Sequence, residues 1–326
     1  MHFTAQGVIP LLPMRILLIK TSSLGDVVHN LPVVSDLRRR YPDAQIDWVV
    51  EEGFLDIPRL HPGLRRVIPI ALRRWRRSLL GSATWGEIRS FRATLQEERY
   101  DLAIDTQGLL KSALITRMAR GKRCGYAAAS AREPLAARFY DATFDVPASL
   151  HAVARNRCLA ALAAGYSPLP APDYGIVAAP SPTVGRPSAV LLTATSRDDK
   201  LWPEERWIGV GTALHERGLN CLLPAGSATE RERAERLAQA IPGGVALPPM
   251  SLADLAAQLA AARIVIGVDT GLVHLAAALG RPTLALFCAS DPALTGVLAT
   301  TPAINLGARG QPPNVDAVLA AAMPLL

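Results

Sequence analysis

Residues 15–32 read RILLIKTSSLGDVVHNLP, and their pattern is the basis for predicting the fold. Its first six residues form a short apolar run typical of a buried strand, and a Ser/Gly turn follows. The amphipathic stretch from Val27 to Arg40 then predicts a helix. Because the same order of strand, polar loop and helix recurs along the chain, the sequence predicts parallel sheets covered on both faces by helices.

The repeats fall into two series separated by a proline-rich stretch. Further strands are predicted in the first series at Ile46 to Val50, Arg66 to Ile70 and Leu102 to Asp105, and in the second at 189–193, 220–224, 263–267 and 283–287. Second-series helices are predicted at 203–217, 230–240, 252–262 and 271–279. Six prolines between Pro168 and Pro187 indicate a linker.

We therefore predict an amino-terminal domain at 14–165, a linker at 166–187 and a carboxy-terminal domain at 188–326. Each domain is expected to be an α/β doubly wound parallel sheet, and the two are expected to face a central cleft. Open parallel sheets bind ligands outside the carboxyl ends of their strands, so the chemistry is expected there.

Composition narrows the class of protein. The chain has 326 residues, of which 50% are hydrophobic and 19% charged, and this balance excludes a disordered or coiled-coil chain. No uncharged apolar run reaches the length of a membrane span. The four cysteines form no C-x-x-C pair, which argues against a zinc site or a disulfide framework. Residues 1–13 lack a basic segment and are predicted to be an unstructured leader rather than a signal peptide.

Charge is unevenly divided along the chain. Residues 1–165 hold 24 Lys and Arg against 15 Asp and Glu, a balance of +9, whereas residues 166–326 hold 11 against 13. Seven arginines lie between Arg59 and Arg77 with no acid among them. A solvated helix usually intersperses acids, so this cluster predicts a surface for an anionic partner, with simple solvation as the alternative.

Two loops after predicted strands carry candidate catalytic and anion-binding groups. Asp26 lies where a helix begins, and it is interpreted either as an N-cap or as a general base at the cleft. Nearby His29 is expected to be a partly buried structural side chain. In the second domain, Lys200 follows a strand and is interpreted as a phosphate ligand, with a surface ion pair to Asp198 or Asp199 as the alternative.

Two further loops complete the predicted nucleotide pocket. Asp269, Thr270 and Gly271 close a strand and open a helix, so free N–H groups and the helix dipole favour a diphosphate there. Asp269 as a simple cap and His274 as a structural residue are the alternatives. Glu230, predicted to open a helix, could accept hydrogen bonds from ribose hydroxyls. The sequence contains no G-x-G-x-x-G after the first strand, no P-loop and no H-E-x-x-H, which counts against a nicotinamide dehydrogenase or a metal centre.

Taken together, several segments resemble one family. These segments are KTSSLGDVVHNLP (20–32), WVVEEGF (48–54), ALRRWRR (71–77), DTQGLLKSA (105–113), AREPLA (131–136), TSRDDKLWPEERW (195–207) and VDTGLVHLAAAL (268–279). The chain resembles the ADP-heptose glycosyltransferases, glycosyltransferase family 9, in one register from about Met14 to beyond Asp291. The resemblance implies the GT-B fold, in which two Rossmann-like domains face a cleft.

The resemblance also implies an activity. It implies inverting transfer of L-glycero-D-manno-heptose from ADP-heptose to the first Kdo sugar of Kdo2-lipid A, in the inner core of lipopolysaccharide, without a cofactor or required metal. Asp26 matches the catalytic position. The matching donor-site positions are Thr195, Ser196, Lys200, Glu230, Met250, Asp269, Thr270, Gly271 and His274. The acceptor-site candidates are Arg73, Arg74, Arg76, Arg77, Lys111 and Arg132.

Ser196 is a mild departure, since close relatives can carry Thr there. The basic residues, with Leu79, Leu80 and Trp85, are expected to rest on the anionic cytoplasmic leaflet of the inner membrane, and no nucleic-acid partner is expected. Three alternatives stay open. They are a family member that acts on a heptosylated acceptor, a non-catalytic binder of nucleotide or glycolipid, and an oxidoreductase. WVVEEGF and RRWRR favour the Kdo acceptor.

Overall fold

The computed structural model describes residues 13–78, 81–181 and 186–326. It contains two six-stranded sheets in which every pair of neighbouring strands is parallel, so the predicted α/β class is confirmed. The predicted leader, apart from Pro13, and the Leu79–Leu80 pair lie outside the described residues.

The first sheet has the strand order β3-β2-β1-β4-β5-β6. Its strands are β1 (Arg15–Ile19), β2 (Gln45–Glu51), β3 (Arg66–Ile70), β4 (Arg99–Asp105), β5 (Arg120–Tyr126) and β6 (Ala142–Phe144). Its helices are α1 (Leu24–Val28), α2 (Leu31–Arg40), α3 (Asp56–Arg59), α4 (Leu72–Trp75), α5 (Ser82–Gln96), α6 (Leu110–Met118) and α7 (Ala152–Ala164). The strand order reverses between β1 and β4, which opens a crevice at their carboxyl ends.

The second sheet repeats this plan with the order β12-β11-β10-β7-β8-β9. Its strands are β7 (Ser188–Leu192), β8 (Asn220–Leu223), β9 (Gly244–Ala246), β10 (Ile264–Val268), β11 (Thr283–Phe287) and β12 (Ala303–Gly307). Its helices are α8 (Glu204–Glu216), α9 (Ala228–Ala240), α10 (Leu252–Ala261), α11 (Gly271–Ala278), α12 (Pro292–Thr295) and α13 (Val315–Ala322). The central strands β7, β10 and β11 are buried throughout, as their apolar sequences predict.

The helix predicted from Val27 to Arg40 is two helices, with His29 and Asn30 between them. Pro32 lies at the start of α2. A proline has no N–H and its ring collides with the carbonyl four residues earlier, so α1 cannot run on through this position. The break leaves His29 at the junction of α1 and α2, where it faces the second domain.

The division into domains at 165 and 187 stays a prediction. Residues 166–181 and 186–187 form no helix or strand in the part of the chain that the structure describes. Among the described residues no helix combines the length and the apolar character needed to cross a bilayer.

Candidate active site

A cleft of about 760 Å³ opens at the carboxyl ends of the central strands and is lined by both halves of the chain. The first half contributes residues at the start of α1, and the second half contributes the loop after β7, the start of α9 and the start of α11. The predicted site residues that line the cleft are Asp26, Arg73, Arg132, Thr195, Ser196, Lys200, Glu230, Met250, Asp269, Thr270, Gly271 and His274. The predicted acceptor residues Arg74, Arg76, Arg77 and Lys111 do not line it.

Asp26 is the third residue of α1, and the helix is capped by Ser23 instead. The backbone N–H of Ser23 donates to Oδ2 of Asp26 at 3.0 Å, so this carboxylate closes the helix end without being the N-cap. Its other oxygen, Oδ1, accepts a hydrogen bond from Arg132 at 3.2 Å and lies 4.0 Å from Nζ of Lys20. One carboxylate therefore serves both interpretations: one oxygen is used in capping and the other faces cations at the cleft.

The charges around Asp26 decide its protonation. Burial by itself would raise the pKa of Asp26, but the ammonium of Lys20 and the guanidinium of Arg132 outweigh burial and hold that pKa below its ordinary value. The side chain is 15% exposed, which leaves an opening toward the cleft. An ionised carboxylate that can be reached from the cleft can accept a proton at neutral pH.

Lys200 does not pair with its sequence neighbours. Arg197 takes the carboxylate of Asp199, while Nζ of Lys200 donates to Oδ2 of Asp269 at 2.6 Å. The hydroxyl of Ser290 also donates to Asp269. The surface ion pair with Asp198 or Asp199 is thus wrong, because the chain brings a carboxylate from 69 residues away to the same ammonium.

Asp269 is likewise not the cap of α11, since Thr270 holds the N-cap position. Burial tends to raise the pKa of Asp269, but the nearby imidazole of His274 and the hydrogen bonds from Lys200 and Ser290 outweigh it, so the pKa lies well below the ordinary value. The start of α11 therefore presents its own free N–H groups to the cleft. Such a helix start, with a lysine beside it, suits a diphosphate.

Gly271 brings the two domains into direct contact. A methyl group added there would stand 2.6 Å from Cβ of Leu24 and 2.8 Å from the backbone nitrogen of Gly25. Both of those residues lie in α1, so the first turns of α1 and α11 meet closely, with the side chain of Leu24 packed directly against Gly271. The catalytic candidate and the anion-binding helix start therefore lie on two helices that are in direct contact.

Three histidines lie at this contact between the domains. Nε2 of His29 and Nδ1 of His274 share a hydrogen bond at 3.2 Å, and Nε2 of His274 lies 3.7 Å from Oδ1 of Asp269. The ring of His151 packs edge-on against His29, with 5.7 Å between ring centroids. Burial holds the pKa of His29 well below its ordinary value, and the charges that His274 and His151 would carry when protonated lower it further. His29 and His274 are both buried, and each imidazole joins the interface between the domains.

Glu230 is the third residue of α9 and does not open it. Ser227 is the N-cap, and Oε2 of Glu230 accepts hydrogen bonds from the N–H groups of Gly226 at 2.8 Å and Ser227 at 3.2 Å. Glu230 still lines the cleft, as do Ser196 and Met250. Its carboxylate therefore stands at the cleft with an orientation fixed by the capping box.

Acids from distant segments neutralise much of the arginine cluster. Asp47 pairs with Arg65 and Arg66, and Arg74 is held between Glu52 at 3.2 Å and Glu87 at 2.7 Å. Within the described ranges Arg73, Arg76 and Arg77 have no carboxylate at ion-pair distance, and Arg59 has only Asp56 at 3.8 Å. Arg73 stacks over the ring of Phe54, 4.8 Å from its centroid, and both side chains line the cleft.

Lys111 lies close to this basic group without lining the cleft. Its Nζ donates to Oγ of Ser22 at 3.3 Å. Burial, and then the charge of Arg76, lowers the pKa of Lys111 below its ordinary value. Lys111 thus lies on the approach to Asp26, among cations that repel its own charge.

Sequence reasoning missed several residues of the site. Lys20, Phe54 and Ser290 contact the catalytic or binding candidates, yet none of them was selected. Lys20 carried a usable signal, because a lysine directly after a buried strand lies at the sheet edge where ligands bind. Within the described residues, no three His, Cys, Asp or Glu side chains are grouped in a way that could hold a metal ion.

Two doubly wound domains face a cleft that has a carboxylate on one wall and a helix start suited to a diphosphate on the other, which is the architecture of GT-B glycosyltransferases. Comparison with known sequences identifies the family within this class of enzymes. The profile of glycosyltransferase family 9 (heptosyltransferase) matches residues 88–320. The chain belongs to this family.

Individual relatives agree over nearly the whole chain. The lipopolysaccharide heptosyltransferase 1 of Pseudomonas aeruginosa is 50% identical over 290 residues, which cover 87% of this chain and 81% of that protein. The solved structure of the E. coli heptosyltransferase WaaC with ADP superposes with a TM-score of 0.90 at 41% identity, covering 96% of this chain and all of WaaC. The structure of WaaC with ADP-2-deoxy-2-fluoro heptose gives a TM-score of 0.87 with the same identity and coverage. The predicted family and GT-B fold are thereby confirmed.

Proposed function

We propose that the protein transfers L-glycero-D-manno-heptose from ADP-heptose to the first Kdo of Kdo2-lipid A, with inversion at the anomeric carbon. The observation that carries this proposal is the arrangement across the cleft. An ionised, partly accessible Asp26 from the first domain faces the same space as Lys200 and the start of α11 from the second. A base and a leaving-group site on opposite walls are what an inverting displacement requires.

The second domain supplies a site for the donor. Lys200 and the N–H groups at Thr270 and Gly271 would bind the diphosphate, and Glu230 would accept hydrogen bonds from the ribose. Thr195 donates to the backbone oxygen of Asp269 at 3.3 Å, which ties the loop after β7 to the loop after β10. The WaaC structures, solved with ADP and with a fluorinated ADP-heptose, support this donor.

The reaction uses these groups in a single displacement. The carboxylate of Asp26 takes the proton of the attacking acceptor hydroxyl as its oxygen bonds to the anomeric carbon of heptose. The bond between that carbon and the diphosphate oxygen breaks, and ADP leaves with the electron pair. Lys200 and the start of α11 stabilise the charge that develops on the leaving diphosphate.

Arg73 and Arg132 are the acceptor-binding residues that the cleft favours. Both line it, and the side chain of Arg132 is 49% exposed beside Asp26. Kdo carries a carboxylate, and lipid A carries phosphates, so guanidinium groups suit this acceptor. The relatives named lipopolysaccharide heptosyltransferase 1 support the Kdo acceptor over a heptosylated one.

We also propose that the first domain rests on the cytoplasmic leaflet of the inner membrane. Arg76 and Arg77 are exposed, and the side chain of Trp85 is 52% exposed on α5. Basic residues beside an exposed aromatic ring suit an anionic bilayer surface. Sedimentation with anionic but not with neutral liposomes is the expected result, and equal binding to both would contradict it.

The deciding experiment measures ADP release from ADP-heptose with Kdo2-lipid A, with a heptosylated acceptor and with no acceptor. Release that requires Kdo2-lipid A is expected. Asp26→Asn should abolish transfer while ADP binding persists, and the exposed Asp43→Asn serves as the matched control because Asp43 lies in a turn after α2. Faster release with the heptosylated acceptor would contradict the proposed acceptor. ADP binding with no transfer to either acceptor would instead indicate a non-catalytic binder.

A further inference from the structure

Lys20 is the residue of the site that the reaction scheme leaves unused. It follows β1 directly and is only 4% exposed, although it carries an ammonium group. Its Nζ donates to the backbone oxygen of Thr106 at 2.8 Å and to Oδ1 of Asn156 at 3.3 Å. Two of the three donors of the ammonium are thereby used, and Oδ1 of Asp26 lies 4.0 Å away.

The acceptors of Lys20 are themselves fixed. Nδ2 of Asn156 donates to the backbone oxygen of His29 at 3.2 Å, which orients Oδ1 of the same amide toward Lys20. Thr106 follows β4, and its hydroxyl donates to the backbone oxygen of Ile19 at 3.3 Å. The ammonium is therefore held at one place behind α1 by β1, β4 and α7.

A small polar cavity adjoins this contact. It is about 20 Å³ in volume, close to the size of one water molecule, and Lys20, Asp26, Asn156 and Arg132 line it. Lys20 does not line the larger cleft in which the donor and the acceptor are expected to bind. Lys20 therefore contacts the base and not the substrate.

Arg132, the other cation beside Asp26, is differently placed. It is half exposed and lies where the anionic acceptor is expected to bind, so its guanidinium would form an ion pair with the bound acceptor. Lys20 is instead held by groups of the protein alone, the backbone oxygen of Thr106 and the side chain of Asn156. Burial lowers the pKa of Lys20 to about 8, with Asp26 opposing that change, so the group stays protonated at neutral pH.

The other charged groups around this pair are also defined. The charge of Asp105 raises the pKa of Lys20, and the charge of Arg155 lowers it. Asp105 itself is buried and accepts a hydrogen bond from the hydroxyl of Tyr140 at 2.6 Å. Lys111 lies on the cleft side, close enough for the charge of Asp26 to act on it.

We propose that Lys20 is a positioning residue for catalysis, the permanent buried counter-charge that keeps Asp26 ionised and in place while Arg132 engages the acceptor. This inference rests on the proposed role of Asp26 as the base. It predicts a signature that a merely structural lysine would not give. Without Lys20, burial would raise the pKa of Asp26, and activity lost at low pH would return as the pH is raised.

The test compares Lys20→Met with Lys111→Met and Lys122→Met in profiles of kcat against pH from 4.5 to 9. Lys122 is exposed on β5, away from the cleft, and is the control for removal of a lysine charge. For Lys20→Met we expect the apparent pKa of the acid limb, at which kcat falls as the pH is lowered, to increase by about one to three pH units. This is the change expected when an opposite charge about 4 Å from a carboxylate is removed. The KM for ADP-heptose should stay within about twofold, since the donor site is untouched. A fall in kcat that is the same at every pH would assign Lys20 a structural role and overturn the proposal.

Two further variants keep the result interpretable. Arg132→Met retains Lys20, and in the unmodified enzyme the bound acceptor already engages Arg132, so the acid limb of kcat at saturating Kdo2-lipid A should stay within about one pH unit of the unmodified enzyme while the KM for Kdo2-lipid A rises. A larger movement of that limb would make Arg132 the counter-charge and overturn the proposal, even where Lys20→Met does not fold. Asp26→Asn separates the two ideas. If Asp26→Asn transfers heptose normally, Asp26 is not the base. If Asp26→Asn is inactive and the acid limb of Lys20→Met does not move, Asp26 remains the base and only the role of Lys20 is refuted.

Discussion

Two adjacent arginines provide a direct test of how the acceptor is bound. Arg73 and Arg74 are neighbours on α4, and both are exposed. Arg74 is already held by Glu52 and Glu87. Arg73 lines the cleft and, in the described part of the chain, has no carboxylate at ion-pair distance. We expect Arg73→Ala to damage acceptor binding and Arg74→Ala to have little effect.

The magnitude follows from the kind of contact each side chain can make. A hydrogen bond to a charged partner contributes about 1.5 to 3 kcal/mol. Loss of such a contact from Arg73 should raise the KM for Kdo2-lipid A about tenfold to 150-fold, with a smaller effect on the KM for ADP-heptose. Because Arg74 is exposed and neutralised by two carboxylates, Arg74→Ala should change either KM by less than about threefold.

The assay is ADP release at varied Kdo2-lipid A and saturating ADP-heptose, at low salt and at about 0.5 M salt. The effect of Arg73→Ala should shrink at high salt, because screening weakens the contact that the variant has lost. A rise in KM for Arg74→Ala that equals or exceeds that of Arg73→Ala would refute the reasoning. It would show that the acceptor displaces Glu52 and Glu87 from Arg74.

Three other predictions concern the donor site and the contact between the domains. Lys200→Met should weaken ADP binding at least tenfold in calorimetry, since a charge-assisted contact to the diphosphate is lost; unchanged affinity would remove Lys200 from the site. Gly271→Ala should lower the free energy of unfolding by about 1 to 3 kcal/mol, because its methyl group would collide with α1. Gly86→Ala, where nothing lies within 4 Å in the exposed part of α5, should raise it by up to about 1 kcal/mol in the same urea titrations; equal effects would contradict the collision. The pKa of Asp269 is lowered in the folded state, so the stability that Asp269 contributes is complete above the unfolded pKa near 3.8 and is lost as the pH falls through the folded value. Asp269→Asn should therefore flatten the decline of unfolding free energy between pH 5 and 2, and an unchanged slope would contradict this.

Much of the fold could be predicted because its central strands are continuous apolar runs. TLALF predicts β11 at the residues where the structure has it, and AVLLT and RIVIG predict β7 and β10 to within a residue or two. The edge strand β3 was also predicted at its observed residues, but β5, β6, β9 and β12 were missed. RGKRCGY forms β5 although three of its seven residues are basic, since its early residues are exposed and only its last three are buried. Periodicity of apolar residues does not reveal a strand of that kind.

The site was predictable to the extent that a loop after a strand shows which residues reach the cleft. Asp26, Lys200 and the start of α11 were identified for that reason. Their partners were not, because ion pairs join residues that are far apart in the chain. Sequence proximity suggested Asp198 or Asp199 for Lys200, whereas the structure provides Asp269.

The amino-acid sequence is thus enough to predict two parallel sheets, the loops at the ends of their strands and a family whose members carry the same motifs. Which charges remain available depends on how the chain folds. The tertiary structure neutralised Arg74 with acids from two other segments, placed buried Lys20 behind Asp26, and joined α1 to α11 through Gly271. The physical reason is that the apolar periodicity from which a strand or helix is predicted is local in the sequence, whereas strand pairing, electrostatic interactions and burial depend on distances that exist only after the chain has folded.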